Sequence, residues 1–484
     1  MPKRHATDDD TPLKDGTRPD APAAGSAMDI DPDMGEFEDE FEDEFESEDE
    51  IMEAGVDGRP DAEREAEEKE EAMAVDQGVF IVGRTKLEPG QILQPDPSTY
   101  DMLHSLSTPW PCLSFDIVPD GLGDNRSVYP ATMYTVAGTQ ADSAASADNA
   151  LLVMKLSGLG RMERAGDDSD EDDDEDAEDA DPILESKTIP LGTTTNRVRV
   201  HQANGRTLTA AMTESAEAYI HDISAHLAAF DTPGASVSAA HNAPVHTVTA
   251  HRSEGYAVDW SGPLVAEPKL LTGDNDGLIY MTVGGSDGRW LTHGKAFSGH
   301  TASVEDVHWS PSEASVFASA SADGTVRIWD IRSKSKKAVM SVQASNVDVN
   351  VISWSRKTQH LLASGADDGT WAVWDLRQWK PNSAPSPLAS FAYHKEQITS
   401  IEWHPTDDSI VAVAAGDSTV TLWDLAVELD DEESKDTAGV ADIPPQLLFV
   451  HYLADVKEVH WHRQIPGTLL ATGEQFNAFK TISV

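Results

Sequence analysis

The chain has 484 residues, of which 86 are acidic and 35 basic, and its formal net charge is −51. A surface this acidic repels phosphate backbones and attracts basic partners, so we expect protein partners and no direct binding to nucleic acid. The single cysteine, Cys112, excludes an intramolecular disulfide and a cysteine-rich zinc site. The absence of a long apolar run and the polar first residues predict a soluble protein of a reducing compartment, with no membrane span or signal peptide.

The first 75 residues hold much of the charge, with 28 acidic and 7 basic side chains. Within them, residues 36–47 read EFEDEFEDEFES, so that a phenylalanine recurs every fourth residue among carboxylates. Acidic tails are commonly inert, solvated segments, but exposed phenylalanines add nothing to solubility. We therefore predict that this segment grips a basic partner and folds on binding. The predicted contacts are Glu36, Phe37, Phe41, Phe45 and Glu46.

A helix start signal follows, with Asp96 as the cap and Pro97 at the first helical position. Tyr100, Leu103 and Leu106 have the spacing of an apolar stripe on such a helix. The sequence therefore predicts a short N-terminal helix whose stripe packs on the main domain and contacts a partner.

Residues 299–332 contain one complete copy of a repeating unit, with Gly-His at its start, alternating strand patterns within it and Trp-Asp near its end. Gly-His and Trp-Asp about thirty residues apart mark a WD repeat, which forms one four-stranded blade of a β-propeller. Weaker copies occupy residues 251–282, 346–377, 394–425 and 451–484, and degenerate β segments occupy residues 112–156 and 188–223. Seven units predict an all-β, seven-bladed propeller.

The complete copy also contains residues that match the buried hydrogen-bonded network of WD blades: His300, Asp323, Trp329 and either Ser319 or Ser321. Buried polar networks that are fully satisfied specify packing. We assign these residues to structure, together with the blade tryptophans Trp374 and Trp423. No metal-ligand spacing, Ser-His-Asp set, phosphate loop or paired-carboxylate site is recognisable, so we expect a non-enzymatic protein without metal or cofactor.

Two acidic insertions interrupt the predicted propeller, at residues 165–181 and 428–445. The first holds twelve acidic residues and lies between strand patterns, which predicts a disordered loop off the first blade. It is either inert or a contact for a basic partner, in the second case through Asp170, Asp172, Asp173 and Asp174. We divide the chain into a disordered acidic tail (1–80), a linker with the N-terminal helix (81–110) and the propeller (111–484).

Several strings in the chain resemble the glutamate-rich WD-repeat proteins: YDMLH at 100–104, WPCLSFDIV at 110–118, AGTQA at 137–141, EGYAVDW at 254–260 and LLTGD at 270–274. That family includes a dedicated chaperone of large-subunit ribosomal protein L-three. The resemblance therefore implies a monomeric chaperone that binds this basic protein one to one and delivers it to pre-60S assembly. It also implies a nuclear and nucleolar protein that meets its client in the cytoplasm.

The chain resembles the histone-binding WD proteins more distantly. In those relatives a partner helix lies between an N-terminal helix and an acidic loop that ends in two prolines. This resemblance implies partner contacts at Tyr100, Leu103 and Leu106 on the helix. On the loop, ahead of prolines 444 and 445, it implies contacts at Glu428, Asp430, Asp431, Glu432 and Glu433. Histone binding therefore stays open, since histones and ribosomal proteins satisfy the same electrostatics.

A third possibility comes from the strings WDIR at 329–332 and WDLR at 374–377. Both resemble the WDxR box with which some WD proteins dock on the adaptor of a cullin-RING ubiquitin ligase. An arginine at that position is also a common surface residue. The sequence thus leaves three functions open: a ribosomal-protein chaperone, a histone chaperone and a ligase substrate receptor.

Overall fold

The computed structural model describes residues 95–162, 181–380, 385–427 and 443–483. The chain divides into two compact units, Met1–Val79 and Phe80–Val484, and all described residues belong to the second. They form seven antiparallel sheets, which confirms the predicted seven-bladed propeller. The predicted partner contacts in residues 36–46, 170–174 and 428–433 lie outside the described ranges.

The first strand, β1 (Tyr100–Leu106), belongs to the last blade of the ring. The first blade contains β2 (Cys112–Val118), β3 (Ala131–Thr139), β4 (Ala150–Leu159) and β5 (Ile183–Pro190). The second contains β6 (Thr195–Ala203), β7 (Arg206–Thr213), β8 (Ala218–Asp222) and β9 (His246–Val248). The third contains β10 (Ala257–Trp260), β11 (Lys269–Gly273), β12 (Leu278–Gly284), β13 (Trp290–Thr292) and β14 (Phe297–Ser298).

The remaining blades follow the same order. The fourth contains β15 (Val304–Trp309), β16 (Val316–Ser321), β17 (Thr325–Asp330) and β18 (Met340–Gln343). The fifth contains β19 (Val349–Trp354), β20 (Leu361–Ala366), β21 (Trp371–Asp375) and β22 (Ala389–Phe391). The sixth contains β23 (Ile398–Trp403), β24 (Ile410–Ala415), β25 (Thr419–Asp424) and β26 (Leu447–Tyr452). The seventh contains β27 (Glu458–Trp461), β28 (Thr468–Thr472), β29 (Phe476–Thr481) and β1.

The first strand of each blade lines the centre of the ring. Each of these seven inner strands contacts the inner strand of the next blade, and β27 of the seventh blade contacts β2 of the first. The helical segments within the described ranges are short: α1 (Ser224–Ala228) and the 3-10 turns Pro97–Thr99, Ser143–Asp148, Ala239–Asn242 and Leu376–Gln378. Apolar side chains between neighbouring blades form the core, so every blade is stabilised by the two beside it.

The predicted helix carrying Tyr100, Leu103 and Leu106 is wrong, because these residues lie in β1. Its start is present only as the single turn Pro97–Thr99, in which the carboxylate of Asp96 accepts a hydrogen bond from Ser98 N at 3.0 Å. A bulge after Tyr100 turns Tyr100 and Leu103 toward the same core cluster, which produced the helix-like spacing. Without β1, strand β29 would present an unpaired edge, so β1 closes the ring.

Candidate functional site

The propeller has two faces with different loops. Because the strands of a blade alternate in direction, the turns between second and third strands share one face with the connections from blade to blade. Turns between first and second strands, and between third and fourth strands, lie on the other face. We name these the acidic face and the attachment face, for the properties described next.

Carboxylates dominate the acidic face. Its described loops hold fifteen acidic residues and three basic ones, the latter being Arg252, Lys395 and Lys457. Ten of the fifteen are exposed: Asp142, Asp148, Glu214, Asp276, Asp348, Asp367, Asp368, Glu396, Asp455 and Glu474. Among them, Asp455 pairs with Lys457 at 2.6 Å. The remaining carboxylates form a negatively charged surface that spans all seven blades and suits a basic partner.

Three buried carboxylates at this face serve the blade network instead. His300 Nδ1 lies 3.0 Å from Asp323 Oδ2, and His300 Nε2 lies 2.7 Å from Ser319 Oγ, which also accepts from Trp329 Nε1 at 2.8 Å. Ser319 is therefore the serine that joins the histidine to the tryptophan. Burial opposes the charge of Asp323, but hydrogen bonds from His300 and Thr325 outweigh it and hold the pKa of this carboxyl below its usual range.

Similar sets recur in neighbouring blades with changed members. In the sixth blade, His394 bonds Asp417 and Thr421, and Thr421 Oγ1 accepts from Trp423 Nε1 at 2.7 Å. In the fifth, Trp374 Nε1 donates to Ser364 Oγ at 2.8 Å. In the third, His251 bonds Asp274 at 2.7 Å. These groups fix the turns that present the exposed carboxylates.

A ring of buried charges near the propeller axis holds the blades together. Five inner-strand carboxylates each accept a backbone N–H from the inner strand of the next blade, at 2.6 to 3.0 Å: Asp116, Asp259, Asp306, Glu402 and Glu458. Glu458 also pairs with Arg197 and Arg199, each at 2.8 Å. Burial disfavours its charge, yet the two arginines and His460 keep the pKa of Glu458 well below its usual range. Sequence reasoning missed this inner ring.

The predicted groove residues of β1 do not form a partner surface. Tyr100 is only 1% exposed and its hydroxyl lies 2.9 Å from His451 Nδ1. Leu106 is buried between the first and seventh blades, and Leu103 is half-buried against the cluster that contains Tyr100. These side chains are core, so a partner groove built on them would require the last blade to open.

The attachment face carries a different balance, with twelve basic and ten acidic residues in its described loops. The undescribed acidic stretches all join the described chain here: before Pro95, between Met162 and Asp181, and between Val427 and Ile443. The acidic insertion at 165–181 therefore joins the third and fourth strands of the first blade.

The two WDxR arginines also lie on the attachment face. Arg332 pairs with Asp330 at 2.6 Å and Arg377 with Asp375 at 2.7 Å, while their side chains remain 71% and 68% exposed. Hydrogen bonds from Arg377 lower the pKa of Asp375 to about 2. Each guanidinium is thus occupied by the aspartate of its own box, with one side left open to solvent.

Two kinds of feature are absent from the described ranges. No helix there is long and apolar enough to cross a membrane. No group of three or more histidine, cysteine or acidic side chains in the described residues has the arrangement of a metal site.

Family models match two parts of the chain. Residues 291–330, 336–375 and 385–424 match the WD domain, G-beta repeat. Residues 90–159 match the model for histone-binding protein RBBP4 or the corresponding member of the CAF1 complex. The second match covers β1 to β4, including the strand that closes the ring.

Three curated relatives are similar over most of their length. Ribosome assembly protein rrb1 of Schizosaccharomyces pombe is 46% identical, over 94% of this chain and 95% of its own. Protein HEAT STRESS TOLERANT DWD 1 of Arabidopsis thaliana is 43% identical, over 84% of this chain and 92% of its own. Glutamate-rich WD repeat-containing protein 1 of Dictyostelium discoideum is 43% identical, over 83% and 84%.

Proposed function

This chain belongs to the family of glutamate-rich WD-repeat proteins, and from that membership we propose that it is a non-enzymatic assembly chaperone of ribosome biogenesis. Its client is a newly made, strongly basic protein of the large ribosomal subunit. The similarity to a relative named as a ribosome assembly protein supports the process, and the acidic face supports the charge of the client. The fifteen-to-three excess of carboxylates on that face is the observation that carries the proposal.

The proposed mechanism is imitation of ribosomal RNA. Ribosomal proteins present arginine and lysine side chains to RNA phosphates, and the exposed carboxylates of the acidic face would occupy the same side chains before assembly. Hydrogen bonds to charged groups contribute roughly 1.5–3 kcal/mol each when desolvated, whereas exposed ion pairs contribute about 0–1 kcal/mol. Affinity therefore comes from contacts that the propeller shields from water, and the acidic segments add association rate and salt dependence.

The finer part of the proposal is that the client is large-subunit protein L-three, held one to one. Loading takes place in the cytoplasm and release in the nucleus or nucleolus, where the particle's RNA competes for the same basic side chains. This assignment rests on the family resemblance, because electrostatics alone treats all basic ribosomal proteins alike.

Purification of the tagged protein from its own cells tests the proposal. We expect one basic large-subunit protein to co-elute in stoichiometric amount, by mass spectrometry, both at low salt and at about 0.3 M salt. Surface pairs are largely screened at that ionic strength, so survival of the complex would indicate shielded propeller contacts. Recovery of the cullin adaptor alone would contradict the proposal and favour the ligase receptor.

A matched pair of variants tests the acidic face itself. The triple variant Asp276→Asn, Asp348→Asn, Glu396→Gln neutralises exposed carboxylates on the acidic face. The control Asp231→Asn, Glu267→Gln, Glu313→Gln neutralises exposed carboxylates of the attachment face. At low salt we expect the first to weaken client binding roughly tenfold, because each exposed pair contributes up to about 1 kcal/mol. Equal losses in both would mean that net charge acts without a defined face.

Histone binding remains the second candidate because residues 90–159 match the histone-binding model. The same purification separates the two: histones surviving the salt step in place of a ribosomal protein would move the assignment. The matched triple variants then ask whether histones use the acidic face as well.

A further inference from the structure

A groove of about 390 Å³ lies on the attachment face, between the first and seventh blades. One wall is the loop at residues 119–130, and the other includes Ile465 and Lys480. An apolar cavity of about 150 Å³ accommodates a benzene molecule, so this groove has room for an aromatic ring and part of the chain beside it.

Hydrogen bonds across the two blades preform the groove. Gln464 Oε1 accepts from Asp120 N at 2.8 Å, and Gln464 Nε2 donates to Asp120 O at 3.0 Å. The carbonyl of Gln464 accepts from Arg126 N at 2.9 Å. Because one buried glutamine joins both walls, the groove is rigid before anything binds.

The surface of the groove is apolar and unusually open. Val128 is 82% exposed and Leu122 56% exposed, and half-buried Tyr129 packs onto the core cluster that contains Ile465. Side chains of this size seldom face water without a purpose when they border a concave surface. The groove is therefore suited to an apolar side chain.

Cations border the groove. Lys480 lines it, and Arg463 adjoins Ile465; neither forms an ion pair among the residues that the structure describes. Arg126 is already paired with Asp120 at 2.7 Å, and Asp124 also lines the groove. The complementary ligand thus carries an apolar ring between acidic groups.

This chain contains such a ligand in residues 36–47, EFEDEFEDEFES. The part of the chain that carries it joins the propeller beside the groove: Thr99 O accepts from Ile482 N at 3.2 Å, and Met102 pairs with Lys480 in the sheet. About 50 residues separate Phe45 from Pro95, and a flexible chain of that length has a root-mean-square span of roughly 40 Å. The segment can reach the groove at an effective concentration in the millimolar range.

We propose that the groove between the first and seventh blades is the docking site for this chain's own phenylalanine and glutamate segment, residues 36–47. One phenylalanine ring fills the groove, and the neighbouring carboxylates lie near Lys480 and Arg463. Three equivalent rings give three registers, which favours occupancy. Docking holds the segment at the attachment face and leaves the acidic face open. The proposal does not depend on the identity of the client.

Disulfide trapping in the full-length chain tests the docking. The variant Ser47→Cys, Ser127→Cys places one thiol beside the phenylalanine repeat and one on the exposed groove loop, and it preserves every apolar group. The native Cys112 does not interfere, because it is 2% exposed and burial raises the pKa of its thiol to about 12. The measured quantity is the rate of intramolecular disulfide formation under a glutathione buffer, without client.

The decisive control keeps both thiols and replaces Phe37, Phe41 and Phe45 by alanine. We expect the disulfide to form at least tenfold more slowly in this control, and Val128→Asp in the two-thiol background to have the same effect. A second control pairs Ser47→Cys with Ser386→Cys, an exposed serine on the same face in the fifth blade. It should react slowly, with or without the phenylalanines.

Unchanged rates after removal of the three rings would overturn the proposal. Disulfides formed between chains, seen as covalent dimers, would overturn it in favour of a second copy as the occupant. Slow trapping combined with weaker client binding by Val128→Asp would also overturn it, in favour of a client side chain. Because client capture is measured separately, the chaperone function can hold when the docking fails.

Discussion

The carboxylates of the acidic face and those of the inner ring are the same chemical groups in opposite surroundings. On the acidic face, ten side chains are exposed and, apart from Asp455, form no ion pair among the described residues. In the inner ring, Glu458 is 1% exposed and contacts two arginines, a serine and a backbone N–H. Burial and partners decide whether a carboxylate maintains the fold or remains available for binding.

Substitution of the inner ring should have the largest effect on stability. Glu458→Gln leaves Arg197 and Arg199 buried without their anion, and loss of one member of a buried ion pair costs about 3–5 kcal/mol. Urea-induced unfolding would measure the loss. Glu474→Gln, an exposed residue of the same blade, is the matched control and should change the free energy of unfolding by less than about 0.5 kcal/mol. Similar values for both would remove the distinction between ring and face.

A smaller loss is expected where a ring carboxylate contacts only a backbone group. Asp306 is 2% exposed and accepts from Ile352 N in the next blade at 3.0 Å. Asp306→Ala leaves that N–H buried and unpaired, which costs about 1–3 kcal/mol. Asp306→Asn keeps an acceptor and should lose less than the alanine variant in the same unfolding experiment. A larger loss in the asparagine variant would mean that the charge of Asp306, not its hydrogen bond, stabilises the junction.

The inner ring should also make stability depend on alkaline pH. Burial disfavours the charged form of His460, but Glu458 and Glu402 outweigh it and raise the pKa of His460 to about 10. Its contribution is therefore complete below the ordinary histidine value of about 6.5 and is lost as the pH rises toward 10. We expect a decline on the order of 1–3 kcal/mol between those limits. The variant His460→Gln should flatten the profile, and an unchanged slope would assign the decline to other groups.

Sequence patterns predicted the elements that depend on near neighbours. The repeat with its Gly-His and Trp-Asp signals indicated blades, because each blade is a local meander of four strands. The choice between Ser319 and Ser321 could not be made, since residues two apart in a strand point to the same side. Only the positions of His300 and Trp329 in the folded blade select Ser319.

Contacts between distant parts of the chain escaped prediction. The buried pattern of Tyr100, Met102 and Leu106 fits a strand, but the spacing of Leu103 competed with it, and the pairing strand β29 lies at the other end of the chain. Likewise, 261 residues separate Arg197 from Glu458, so nothing local indicates the pair. Ring closure creates both contacts, and a repeat pattern specifies blades without specifying how the ring closes.

The smallest stability effect is expected on the acidic face. The variant Asp276→Asn, Asp348→Asn, Glu396→Gln removes exposed charges for which the described residues supply no ion pair. We expect a change of less than about 0.5 kcal/mol per site, directed toward higher stability because the chain carries a net charge of −51 and repels itself. Thermal unfolding at low salt would measure it. A clear loss of stability would mean that these carboxylates hold the turns together, and weakened client binding by this variant could then no longer be attributed to the face.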